Sequence, residues 1–161
     1  MDYAFQYIID NGLCDNSSYP YTANSSDMCL NTTCSKVVHI QNFTDIKPDN
    51  EHSLAKAVAK QPVAVAIEAD MQSFQMYKSG IYSDSNCGND LDHGVLVVGY
   101  GYDSFWDMKY WIVKNSWGTS WGDNGYIKMQ KDIEDPNGLC GIAMDPSIPI
   151  VKDNHLRTSK T

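Results

Sequence analysis

With 161 residues, 42% of them apolar, the chain is long enough to close one domain around a proper core and too apolar for a disordered tail. Its formal net charge of -8 excludes nucleic acid as the expected partner, because phosphates call for a basic surface. No apolar run approaches the roughly 18–20 residues of a membrane helix, so no membrane partner is expected either.

Taken in chain order, the first element is a helix. Tyr3, Ala4, Tyr7 and Ile8 share one face at helical spacing, and Asn11-Gly12 offers a left-handed stop, which predicts a helix over 2–11. From Cys14 to Ser35 a polar stretch containing Tyr19-Pro20-Tyr21 reads as a loop. Asn50 is placed to cap a short helix carrying Leu54, Ala55 and Val58, which Gln61-Pro62 ends. Beyond Pro62 the pattern turns to strands: Val63–Glu68 alternates weakly, and Val95–Val98 is an apolar run between glycines. Tyr110–Val113, Tyr126–Met129 and Ile148–Val151 are further strands, and residues 152–161 form a tail. The expected class is α+β, with a helical piece and loop over 1–45 followed by a β-rich domain over 46–151.

Four N-x-S/T sequons, at Asn16, Asn24, Asn31 and Asn42, crowd the first quarter and mark candidate glycosylation sites. Five cysteines (Cys14, Cys29, Cys34, Cys87 and Cys140) show no C-x-x-C pair or spaced Cys/His set, so no metal is expected. Disulfides in an oxidising compartment fit better, and an odd count leaves one cysteine without a partner in this chain. Met1 leads straight into Asp2-Tyr3-Ala4-Phe5 without the charged and apolar regions of a signal peptide. A secretory composition without its signal sets the expectation that a longer protein begins upstream of Met1.

Three segments carry candidate chemistry. Asp92-His93-Gly94-Val95-Leu96-Val97-Val98-Gly99-Tyr100-Gly101 places a histidine at the mouth of a buried strand. Tyr110-Trp111-Ile112-Val113-Lys114-Asn115-Ser116-Trp117-Gly118-Thr119-Ser120-Trp121 runs a strand into a loop holding an amide and two tryptophans. The third is Cys140-Gly141-Ile142-Ala143-Met144-Asp145-Pro146-Ser147, near the end. Taken singly, each also has a plain structural reading: a core histidine, a turn, packing tryptophans, an ordinary bridge.

Together the three segments resemble the papain family of cysteine peptidases, of the cathepsin L-like kind. The first two are similar to its histidine and asparagine motifs and the third to its C-terminal segment. Met1-Asp2-Tyr3-Ala4-Phe5-Gln6-Tyr7-Ile8-Ile9-Asp10-Asn11-Gly12 resembles the helix that follows the family's Cys-Asn-Gly-Gly turn, and the likeness extends to about Val151. It implies a papain-like fold, mostly the β-rich right-hand domain with a helical remnant of the left-hand domain. It also implies His93 as the partner of a cysteine thiolate, Asn115 as the residue orienting its ring, and Trp117 and Trp121 as support. Met1, Ala66, Leu91, Asp92 and Asp145 become the expected substrate-binding positions, with Asp145 at the floor of the pocket reading the side chain next but one before the cut bond. Cys87–Cys140 is the implied disulfide of the right-hand domain, Cys29 pairs outside this chain, and Cys14–Cys34 remains as the leftover pair.

The family's nucleophile sits about 130–150 residues before its histidine, which here falls about 40 residues before Met1. No cysteine in the chain is followed by Trp. The resemblance therefore implies a cysteine endopeptidase whose C-terminal part, lacking the nucleophile, is inactive alone and needs no cofactor. Its implied partners are peptide or protein substrates, the upstream half, and propeptide or cystatin-like inhibitors; its implied place is lysosomal, vacuolar or extracellular. The competing expectation is an inactive secreted glycoprotein serving as a decoy for inhibitors or propeptides.

Overall fold

The structure is a computed structural model describing residues 1–20, 22, 29, 31–32 and 34–151. The sequon at Asn24, Tyr21 of the Tyr-Pro-Tyr segment and the tail over 152–161 lie outside the described residues. Its elements are helices α1 (Asp2–Asn11), α2 (Glu51–Val58) and α3 (Gln72–Gln75), with strands β1 (Leu13–Cys14), β2 (Lys36–Val38), β3 (Asn42–Asp45), β4 (Val63–Ile67), β5 (Ile81–Tyr82), β6 (His93–Asp103), β7 (Met108–Lys114), β8 (Tyr126–Gln130) and β9 (Ser147–Ile150). The chain divides into two units, one of Met1 with residues 45–148 and one of residues 2–44 with 149–161.

In the smaller unit β1 and β2 pair antiparallel, and Cys14 and Cys34 are disulfide-bonded. Cys14 therefore ends a short strand instead of opening a loop. Phe5 and Phe43 stack with ring centroids 5.8 Å apart. Asn16 and Asn42 are exposed, whereas Asn31 is half-buried and its side-chain amide donates to the Tyr7 hydroxyl.

The larger unit carries most of the seven-stranded sheet, ordered β3-β9-β4-β6-β7-β8-β5. Alternation in β4 buries Val63, Val65 and Ile67 and leaves Ala64 and Ala66 on the other face. Those three pack with Leu54 and Val58 of α2, whose start is fixed where Asn50 Oδ1 accepts the Ser53 N–H at 2.7 Å. β6 is much longer than its apolar run suggests. A bulge between Val97 and Gly99 adds one residue and shifts the alternation, so that past the buried Val95 and Val97 the strand presents Tyr100, exposed although it pairs with the fully buried Trp111. Beyond the bulge the alternation that marks a strand is broken, and glycines occupy the face opposite the tyrosines.

Trp111 also anchors α2, because its indole Nε1–H donates to Glu51 Oε1 at 2.7 Å. Burial lifts the Glu51 carboxyl above its ordinary range, chiefly by desolvation, with the indole hydrogen bond pulling the other way. A carboxyl raised on folding favours the fold while protonated, and that contribution is lost as pH rises through the folded value. Glu51→Gln keeps an acceptor for the indole, so it is expected to raise Tm at neutral pH and flatten the decline above about 4.5. Glu51→Ala leaves the indole donor buried and unpaired, at a cost of about 1–3 kcal/mol. Denaturation of the three proteins across pH checks this, and parallel pH profiles for wild type and Glu51→Gln would contradict it.

Candidate active site

The loop into β6 is tied down at three points. Cys87 at its start is bonded to Cys140, with Cα atoms 5.0 Å apart. In its middle the Glu68 carboxylate accepts the backbone N–H of Gly88 at 3.2 Å and of Asp90 at 2.7 Å. At its end Asp92 donates its N–H to Ile67 O at 3.0 Å, and its side chain accepts the Ala69 N–H at 2.8 Å. His93 follows, opposite Ile67 in the β4–β6 ladder. A half-buried imidazole is thus fixed by its backbone on one side of a packed sheet.

Asn115 stands one residue past β7 and is buried, with its N–H donated to Gly125 O at 3.0 Å. Its Oδ1 lies 2.8 Å from His93 Nε2 and accepts the Ser116 N–H at 2.7 Å. The Ser116 contact decides the chemistry. A backbone N–H requires an acceptor, so the atom is the amide oxygen, and His93 must then donate from Nε2. In the neutral ring the lone pair is therefore on Nδ1, which is left free to take a proton. Asn115 Nδ2 is buried with no hydrogen-bond partner among the described residues.

Aromatic rings wall the pair. The Trp117 ring lies 5.0 Å from that of His93 and meets Trp121 edge-on at 5.2 Å. Phe74, fully buried, backs both tryptophans at 5.7 and 5.4 Å. Trp121 is fixed further by donating Nε1–H to Gln75 O at 2.9 Å. The turn that follows Trp121 needs Gly122 at φ +58°, where an added Cβ would run into the Tyr126 carbonyl. Phe74 and Glu68 were not visible as site-builders in the sequence, since neither lies in a motif and each acts through long-range packing or backbone contacts.

The expected substrate-binding positions fall in two groups. The Met1 amino group is 3.5 Å from Asp145 Oδ2, and the Met1 side chain reaches Gly94, the strand partner of Ala66. Leu91 packs instead against Gly141. Asp92, as described, is engaged with the backbone at Ile67 and Ala69. A groove of about 420 Å³ bounded by Met1, Gly94, Leu96, Asn115 and Ser116 runs beside the site. Cys87 and Cys140, the two cysteines of this unit, are bonded to each other; Cys29, free and exposed, belongs to the other unit. No group of three or more metal-ligating side chains occurs among the described residues.

Comparison with known proteins gives the family and the fold. The papain family cysteine protease profile matches residues 1–150. The chain is 53% identical over 152 residues to "Probable cysteine protease RDL2" of Arabidopsis thaliana, covering 92% of this chain and 41% of that protein. It is 47% identical to "Thiol protease SEN102" of Hemerocallis over 161 residues, 44% of that protein's length. The chain thus spans less than half of these relatives. Among solved structures, the bromelain protease of Ananas comosus in complex with the E64 inhibitor superposes with a TM-score of 0.85 at 42% identity, over 92% of this chain and 68% of that one. The proform of the ragweed pollen cysteine protease Amb a 11 gives 0.86 at 38% identity, over 96% and 47%. These superpositions show a papain-like fold for the α+β chain with its seven-stranded sheet.

Proposed function

The chain belongs to the papain family of cysteine proteases, and we propose that it supplies the histidine and asparagine of a Cys-His-Asn endopeptidase whose nucleophilic cysteine lies on an upstream segment. The observation that carries this reading is the His93 Nε2–Asn115 Oδ1 bond of 2.8 Å, which keeps Nδ1 free for a thiol. His93 Nδ1 takes the thiol proton, and the imidazolium stabilises the thiolate. The thiolate attacks the peptide carbonyl carbon, and as the tetrahedral intermediate collapses the imidazolium gives its proton to the departing amine. Water, deprotonated by the same nitrogen, then cleaves the thioester and restores the thiol–imidazole pair.

The upstream origin of the nucleophile is supported by the cysteine chemistry: the unit holding His93 contains two cysteines, and they are bonded to each other. The orphan Asn115 Nδ2 fits the same reading, since an upstream carbonyl would give it an acceptor. A decoy would have no use for a correctly polarised His–Asn pair. The bonded cysteines and exposed sequons favour the secretory pathway, and peptides and a propeptide are the partners this reading entails.

Specificity is assigned to Asp145. The family resemblance supports this reading, since it sets Met1, Ala66 and Leu91 as apolar walls around a carboxylate with which a guanidinium can pair bidentately. An enzyme reconstituted from this chain and its upstream half should therefore cleave substrates carrying Arg at that subsite as well as Leu or Phe. Asp145→Ala should cost the Arg substrates about 1–3 kcal/mol in kcat/KM and leave Leu substrates nearly unchanged. Equal losses for both, or none for either, would remove Asp145 from the pocket; absence of any peptide hydrolysis would overturn the enzyme itself.

A further inference from the structure

At the far end of β6 the sheet and α2 enclose a cleft of about 590 Å³, a size suited to a small organic ligand. It arises from the bulge after Val97. The extra residue turns Tyr100 and Tyr102 toward the face shared with Trp111 and Lys109, their strand partners. On the α2 side, Ala55 and Ala59 are small and one turn apart, and they leave the space open. Tyr100 and Tyr102 are 47% and 57% exposed, so their rings offer free apolar surface to a ligand. At about 3.3 Å per residue, Tyr102 lies roughly 30 Å along the strand from His93, well outside the groove beside Asn115.

The charge of this cleft runs against that of the chain. The whole sequence has 20 acidic and 12 basic side chains, yet Lys56, Lys109 and Lys131 line this cleft with Asp132 as the one lining carboxylate. Asp132 engages both Lys109, at 2.8 Å, and Lys131. Lys56 makes no ion pair or side-chain hydrogen bond among the described residues. One ammonium group is therefore uncommitted beside two exposed phenol rings.

We propose that this cleft is a binding site for a small organic anion that joins a carboxylate to an apolar ring, with Lys56 pairing the carboxylate and Tyr100 and Tyr102 packing the ring. It is separate from the peptidase reading and is read out by binding, so either can fail without the other.

Naphthalene-2-carboxylate is titrated into isotope-labelled folded chain, alone or paired with its upstream half, and followed by amide shifts. Saturable shifts are expected at Tyr100, Tyr102 and Ala59. Lys56→Gln should weaken Kd by about tenfold or more, the scale of one charge-assisted hydrogen bond. Ala59→Phe, at an exposed position, should fill the space and abolish the shifts. Naphthalene-2-methanol, which lacks the charge, and acetate, which lacks the ring, should each bind at least about tenfold more weakly. Equal affinity for the neutral analogue, unchanged Kd in both variants, or shifts centred elsewhere would overturn the proposal.

Discussion

Replacing His93 by alanine in the reconstituted enzyme is expected to lower kcat/KM by about 10⁴-fold or more, the scale seen when one member of a catalytic unit is removed. Two steps fail together. Without the imidazole the thiol has no base at hand and no cation to hold it as thiolate, and the departing amine has no proton donor. Asn115→Ala removes the contact that orients the ring, together with the acceptor of the Ser116 N–H, but leaves the imidazole in place, and about 10²-fold is expected. The ordering is the test, because a purely structural role would give losses that track stability. His93 is half-buried at the head of β6, where it bonds Asn115 and packs on Trp117, so its variant should lose some Tm while its kcat/KM falls far beyond what that loss explains. A His93→Ala enzyme retaining a tenth of its kcat/KM would contradict the assignment.

The larger effect concerns the chain by itself, which is expected to show no peptide hydrolysis at all. His93 and Asn115 are in bonding register already, so the deficit is not one of geometry. What is absent is a thiol within the unit that holds them. Reducing the Cys87–Cys140 bond would not supply one, since Cys140 is buried and Cys87 is half-buried behind the loop that Glu68 fixes. Adding a cysteine-bearing upstream segment should restore turnover, and the restored activity should disappear with that segment's cysteine.

The fold was legible where local chemistry decides it. The Asn50 cap and Pro62 bracket α2, and the alternation of Val63, Val65 and Ile67 marks β4 because a one-sided core enforces period two. β6 is visible in the sequence only over Val95–Val98; its continuation through Gly99-Tyr100-Gly101 is hidden, since a bulge shifts the period and glycines carry no apolar signal. β3, over Asn42–Asp45, reads as a sequon-bearing loop because it is polar and owes its conformation to its neighbours. The candidate site divides in the same way. His93, Asn115, Trp117 and Trp121 stand in motifs, whereas Glu68 and Phe74 are ordinary residues whose roles exist only once distant segments meet. Glu51 and Trp111, sixty positions apart, likewise give no local sign of their buried hydrogen bond.

The central claim is that this chain holds the histidine side of a peptidase whose thiol lies elsewhere. The most direct measurement is site mapping with a thiol-directed epoxide probe, applied to the chain alone and to the chain paired with its upstream half. Rapid labelling is expected only in the pair, on a cysteine outside residues 1–161, and it should slow sharply when His93 is replaced by alanine. Rapid, His93-dependent labelling of Cys29 or any other cysteine within this chain would contradict the account.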